Sequence, residues 1–334
     1  MFAGIVVITG PGEYTVMADV QLHRITLAGT PAAGSQPWQP RLQLLAQAPA
    51  TTDRNRPVLY VHGATFPTEN AFFFRFGGTS WADALNAAGF PAWGLDFAGY
   101  GRSDAYPAMA AETPPAGEPL GRAPEAADQV ARAVHAILAE TGATRVSIIA
   151  HSWGTMVASR FAGDHPDLVD RLVLFGPVVR RETLDVAPPF GPWRFITVAE
   201  QKARFTEDVP QGEAGVLLEA DFPAWADLYL KADPTSALRT PPSVKTPNGP
   251  IADIMAAWSG RLAYDPARVR APVLIARGEW DSLCSDADVA WLRQALSAAP
   301  EVSDVKIAKA THLMHLETAR TALYAAAIGF LQAA

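Results

Sequence analysis

An apolar run, Val146-Ser147-Ile148-Ile149-Ala150, passes directly into His151-Ser152-Trp153-Gly154 and then into the helical pattern Thr155-Met156-Val157-Ala158-Ser159-Arg160-Phe161. This junction restricts the fold more than any other stretch. A strand that turns into a helix over so few residues holds the serine in a strained backbone conformation, with its hydroxyl above the sheet and room only for small residues beside it. Ala150 stands where such a turn prefers glycine, and a methyl is the smallest side chain that could crowd it. A helix-capping role would explain the hydroxyl of Ser152, but not the small neighbours together with the preceding apolar strand. Ser152 is therefore the candidate nucleophile.

A serine hydroxyl attacks well only with a base beside it and an acid behind the base. Near the C-terminus the apolar strand Val305-Lys306-Ile307-Ala308 leads to Thr311-His312-Leu313-Met314-His315, which offers two imidazoles. Upstream, Pro272-Val273-Leu274-Ile275-Ala276-Arg277-Gly278-Glu279-Trp280-Asp281 is a strand ending in a loop with two carboxylates. The chain order is thus serine, acid, histidine, which distinguishes one serine-triad fold from the other two.

Two more segments carry weight. Pro57-Val58-Leu59-Tyr60-Val61-His62-Gly63-Ala64 is a strand followed by a histidine-glycine turn, and Asp96-Phe97-Ala98-Gly99-Tyr100-Gly101-Arg102-Ser103 has the spacing D-x-x-G-x-G-x-S. With these motifs the chain resembles the α/β-hydrolase fold superfamily, as a serine hydrolase of the esterase type, from about Val58 to Phe330. The resemblance implies a mostly parallel central sheet with helices on both faces and a helical cap insertion. It favours His312 over His315 as base, the latter then lying in a following helix. It favours Asp281 over Glu279 through the pattern G-E-x-D, while Glu182 and Asp185, after the preceding strand, stay open as alternatives. The oxyanion would rest on backbone N–H groups of Trp153 and Ala64, with Thr65 the alternative to Ala64.

The remaining histidines, His62 and His151, flank these turns and suit hydrogen bonds to loop backbone better than chemistry. Asp96, Gly99, Gly101 and Arg102 are read as loop scaffold, and Cys284 as a small packing residue. No metal or cofactor is expected: Thr311–His315 lacks the glutamate of the helical zinc motif, and Gly99-Tyr100-Gly101 lacks the third glycine of a dinucleotide site.

Before Val58, an opening antiparallel pair is expected from Val20, Leu22, Ile25 and Leu27 and from Leu42, Leu44, Leu45 and Ala46, placed at a sheet edge. From Val58 short apolar strands alternate with helices, the rhythm of a parallel sheet covered on both faces. A helix over Glu125–Glu140 aligns Val130, Val134, Ile137 and Leu138 on one face. The alternation stops after Gly176-Pro177 and resumes at Val273, so a hydrolase core of residues 1–177 and 265–334 is expected to carry a cap over 178–264. That segment has helical patterns at Ala199–Phe205, Ala224–Lys231 and Ile251–Trp258, and aromatics that mostly form its own small core.

Charge narrows the partners. A net charge of −7 with 27 scattered basic residues gives no basic stripe, so nucleic acid is excluded as a partner and a small molecule expected. The single cysteine fits a reducing compartment, and Met1–Ile8, short and without a basic residue, reads as neither signal peptide nor membrane span. These features point to the cytoplasm and set no oligomeric state. The substrate expected is a small or medium apolar carboxylic ester, cleaved through an acyl-enzyme. Charged acyl groups would be poor, since a buried carboxylate without a partner loses its hydration. Carbon–carbon, lactone or amide cleavage by the same residues, and a ligand-sensing protein that retains them, are the alternatives.

Overall fold

The computed structural model describes residues 6–8, 21–29, 38–185 and 189–333. Among them the chain runs through strands β1 (Val6–Ile8), β2 (His23–Leu27), β3 (Leu42–Gln47), β4 (Val58–Val61), β5 (Ala92–Asp96), β6 (Val146–His151), β7 (Val169–Phe175), β8 (Trp193–Thr197), β9 (Ser243–Pro247), β10 (Val273–Gly278) and β11 (Val302–Ile307). The helices are α1 (Trp81–Ala87), α2 (Ala123–Thr141), α3 (Trp153–Asp164), α4 (Val198–Arg204), α5 (Phe222–Lys231), α6 (Gly249–Trp258), α7 (Asp286–Ala295) and α8 (Arg320–Gln332).

Among the described residues one sheet has the order β1-β11-β10-β7-β6-β4-β5-β3-β2. All its pairs from β1 to β5 are parallel, and β5/β3 and β3/β2 are antiparallel. The expected opening pair is thus present at one edge; Val20 lies outside the described residues. The pair has a physical reason to be there, because β2 alternates between exposed and half-buried residues as only a strand open on one side can. At the opposite edge β1 pairs with β11, an element the sequence reading did not assign.

Central strands read as unbroken apolar runs because both their faces are covered, and successive side chains go to opposite faces. Leu59, Val61, Ile148, Leu172, Leu174 and Ile275 join one core with α2 and α3. Val58, Tyr60, Ile149, Val173, Phe175 and Leu274 join the other with α1 and α8. The stripe predicted on α2 is found, with Val130, Val134 and Ile137 fully buried. Gly142 ends that helix in the left-handed region at φ 78°, where its N–H bonds Leu138 O.

Between β7 and β10 lie α4, α5 and α6, close to the expected helical patterns. The segment is not purely helical. β8 and β9 form an antiparallel ladder of their own, pairing Trp193 with Pro247 and Thr197 with Ser243. Its partners are far apart in sequence, so local periodicity does not reveal it. Expected aromatic packing is present: Phe205, Phe222, Trp225 and Tyr229 contact one another through edge and stacked geometries. The segment meets the rest of the protein above β4, where Asn70 Nδ2 donates to Trp225 O at 3.1 Å and Trp225 Nε1 returns a bond to Asn70 O at 3.0 Å.

Candidate active site

Ser152 joins β6 to α3 at φ 53° and ψ −125°, a region that a side chain bearing Cβ occupies at a cost of roughly 1–3 kcal/mol. The surroundings over-determine it. Its N–H donates to Phe175 O at 3.1 Å, and its carbonyl accepts from Thr155 N at 2.9 Å and Thr155 Oγ1 at 2.6 Å. Gly154 lets α3 close on β4: a methyl there would stand 2.4 Å from His62 O. Gly63 brings the turn after β4 against the serine, since a Cβ on it would lie 3.3 Å from Ser152 Cβ.

His312 sits in the turn after β11, and Asp281 in the loop after β10. The imidazole Nδ1 lies 3.0 and 3.1 Å from the two carboxylate oxygens of Asp281. A carboxylate accepts, so Nδ1 carries a proton, and in the neutral imidazole the lone pair is then on Nε2. That Nε2 is buried and bonded to no protein atom. Asp281 is held in turn by Leu283 N at 2.9 Å and Cys284 N at 3.1 Å. The histidine turn is fastened from behind: Glu317 accepts from Thr311 N at 3.0 Å and from Thr311 Oγ1. Burial pushes the Glu317 carboxyl up to about 7, against which the Thr311 bonds act.

The other acids weighed in the sequence are elsewhere. Glu182 is exposed and paired with Arg180. Asp185 is also exposed, and Glu279 faces solvent with its carboxylate bonded to Lys309 N at 2.9 Å. His62 behaves as expected, its Nδ1 2.8 Å from Gly63 O and its Nε2 accepting from Phe97 N at 3.2 Å; burial lowers it to about 4. His315 departs from its expected helix. It lies before α8, fully buried, with its ring 4.5 Å from that of His151 and 6.3 Å from that of Phe66. The close turn of the chain between β11 and α8 consumes these residues before a helix can start. His151 donates from Nε2 to His312 O at 3.0 Å, and its ring lies 4.9 Å from that of His312. Burial holds both His151 and His315 well below the usual imidazole range, so both are neutral. Cys284 is buried, and desolvation with the neighbouring carboxylates pushes its thiol up, away from nucleophilic use.

The Trp153 amide opens α3, where an N–H has no acceptor inside the helix. Its indole Nε1 donates to Asp253 Oδ2 at 3.0 Å. Ala64 follows Gly63, and its carbonyl accepts from Tyr100 Oη at 2.7 Å. Thr65 is tied into the segment above: its carbonyl accepts from Gln201 Nε2 at 3.0 Å, and its hydroxyl meets Gln201 Oε1 and Arg204 Nη1. That hydroxyl is therefore already engaged. Asp96 is buried with its carboxyl raised to about 6 by desolvation, and it accepts from Thr68 N at 3.0 Å and Arg102 N at 3.4 Å, as loop scaffold does.

Sequence reasoning passed over Asp253, Glu317, Arg194 and Arg204, whose positions in tertiary space no local motif announces. Two of them bring charge near the turn after β4: Arg204 from α4 donates to the Thr65 hydroxyl, and Arg194 from β8 acts electrostatically on Tyr100, whose hydroxyl bonds Ala64 O. A groove of about 690 Å³ lined by Phe195, Thr235, Leu238 and Lys245 contains none of Ser152, Asp281 or His312.

Residues 57–319 match the sequence model of the alpha/beta hydrolase fold family. No curated protein sequence matches the chain. Among solved structures it is similar to the thioesterase domain from the curacin biosynthetic pathway, at a TM-score of 0.58 and 14% identity, covering 94% of this chain and 100% of that one. It is similar to a thermophilic esterase from Thermogutta terrifontis at 0.55 and 18%, covering 93% and 98%. An N-formylmaleamic acid deformylase from Pseudomonas putida S16 aligns at 0.54 and 15%, covering 91% and 100%. Identities this low speak for the fold, which the strand order and the matched residues give independently: the chain belongs to the α/β-hydrolase fold family.

Proposed function

We propose that the protein is a serine hydrolase that cleaves carboxylic esters through an acyl-enzyme, with residues 178–264 as a cap over a core of 1–177 and 265–334, and that it works in the cytoplasm. The observation that carries this reading is the Asp281–His312 pair at 3.0 Å, which leaves Nε2 unbonded, together with a serine strained at φ 53° on the turn after β6. In this mechanism His312 Nε2 takes the Ser152 proton as Oγ attacks the ester carbonyl carbon. Ala64 and Trp153 receive the oxyanion on their amides. The alcohol leaves with the proton from His312, and a water activated by the same nitrogen then hydrolyses the acyl-serine. Nucleophile–base contacts are commonly long before substrate enters, so the Nε2 lone pair without a partner is compatible with this role.

A fluorophosphonate should label Ser152 alone, and Ser152→Ala should abolish turnover of an activated aryl ester with little change in the thermal midpoint. Labelling at another residue, or full turnover in Ser152→Ala, would remove the reading.

A further inference from the structure

Buried or half-buried charges are ordinarily paired, because a cation drawn out of water without a carboxylate loses hydration and gains little in return. Within 178–264 the half-buried Lys245 donates to the carbonyls of Met109 and Ala111 instead, and four basic groups follow the rule: Arg180 pairs with Glu182, Arg181 with Asp288, Lys202 with Glu219 and Arg239 with Asp233. Arg194 and Arg204 do not. Both are half-buried, and neither makes an ion pair with any described residue. Arg194 Nη1 donates to the neutral Asn248 Oδ1 at 2.6 Å, and Arg204 Nη1 donates to the hydroxyl of Thr65.

Their placement is as telling as their lack of partners. Thr65 follows Ala64, whose carbonyl holds the Tyr100 hydroxyl. Arg194 acts electrostatically on Tyr100 and Tyr229, while Arg204 acts on His151 and His315 beside the candidate base. The two guanidiniums also repel one another, and burial lowers the proton affinity of both. An arginine stays charged even so. Two cations thus lie near the Ala64 turn; the carboxylates of Glu200, Glu207 and Asp208 act on them from a distance, but none of them forms an ion pair with either guanidinium.

We propose that Arg194 and Arg204 form a carboxylate-recognition subsite beside the Ala64 turn, so that the ester cleaved at Ser152 carries a free carboxylate. The inference rests on the reading of Ser152 as nucleophile. It reverses the expectation of a purely apolar substrate, which assumed that a buried carboxylate would find no partner. Planar guanidinium donors match a carboxylate in geometry as well as charge, and such charge-assisted bonds are about twice as strong as neutral ones.

The test compares nitrophenyl hydrogen glutarate with the neutral nitrophenyl pentanoate, and the acetate ester of hydroxybenzoate with phenyl acetate. The first pair carries the charge on the acyl side and the second on the alcohol side. The parent should favour the anionic member of one pair by about tenfold or more in kcat/KM, which also tells which side the subsite serves. Arg194→Gln and Arg204→Gln should each lower that ratio by about tenfold, and Arg204→Lys should restore part of it. If Arg204→Gln lowers both members equally, Arg204 only holds Thr65 and the proposal is overturned. Preference of the parent for the neutral members would overturn it too, with Ser152 as nucleophile intact. If no ester turns over, the Ser152 reading has failed and calorimetric binding of glutarate decides the subsite: binding to the parent that weakens in both Gln variants supports it, and no binding overturns it.

Discussion

Asp281 accepts three donors, His312 Nδ1 and the amides of Leu283 and Cys284, so its carboxylate is oriented before any substrate arrives. An amide in its place would keep the shape yet turn a donor toward the imidazole, which favours the tautomer protonated on Nε2. Asp281→Asn should therefore lose about 10⁴-fold in turnover, the size of effect known for such a change in serine triads. Glu182→Gln should keep parental turnover, since that carboxylate is exposed and bonded to Arg180. Steady-state rates of the two variants on one aryl ester check the pair of statements, and the opposite ranking would move the acid to Glu182. At this scale the sequence was informative wherever a residue's neighbours in the chain define its setting. Ser152 could be read from its own strand and turn, and Asp281 from G-E-x-D. Arg194 and Arg204 could not, because what singles them out is their partners in space, a neutral amide and a hydroxyl in place of an ion pair.

Elements show the same division. The α2 stripe and the central strands were legible because their periods are set by the helix and the pleat. The β8–β9 ladder was not, because its register joins Phe195 to Lys245 across the whole of α4 and α5. A second junction of that kind lies at Asp253 on α6, which is buried and accepts from Arg122 Nε on the α2 N-terminus, from Ala123 N at 2.6 Å and from Trp153 Nε1 at 3.0 Å. One side chain thus binds α2, α3 and α6 together. Asp253→Ala leaves the indole N–H and the Ala123 amide buried without acceptors, each at about 1–3 kcal/mol. Arg122 is 42% exposed and can turn to water, so it adds little. We expect a loss on the order of 3 kcal/mol in urea unfolding, with a fall in kcat as Trp153 shifts at the mouth of α3. A variant as stable as the parent would show that the contacts of α6 with α2 and α3 are held by apolar packing alone.

Over the whole molecule the buried ionisable groups pull stability in opposite directions with pH. His62, lowered to about 4 by burial, and His151 and His315, also held well below the usual range by burial, exclude protons that the unfolded chain binds below about 6.5. In that window the unfolded state holds more protons at these sites, so their contribution to stability rises with pH. Asp96 and Glu317 act the other way. Their carboxyls are raised to about 6 and about 7 in the folded protein, so it retains protons that the unfolded chain releases near 4. The stability they add is complete below the unfolded pKa and is lost as pH climbs through the folded one. Glu317 isolates the second effect, because it is fully buried, and Glu317→Gln keeps an acceptor for Thr311 while removing the ionisation. The variant should therefore gain on the parent steadily as pH rises from about 4.5 to 7, by a total on the order of 3 kcal/mol. Thermal midpoints of both proteins across that range measure the gap. Parallel curves would mean that the Glu317 carboxylate is solvated as well in the fold as out of it, and that its bonds to Thr311, rather than its proton, set the position of the His312 turn.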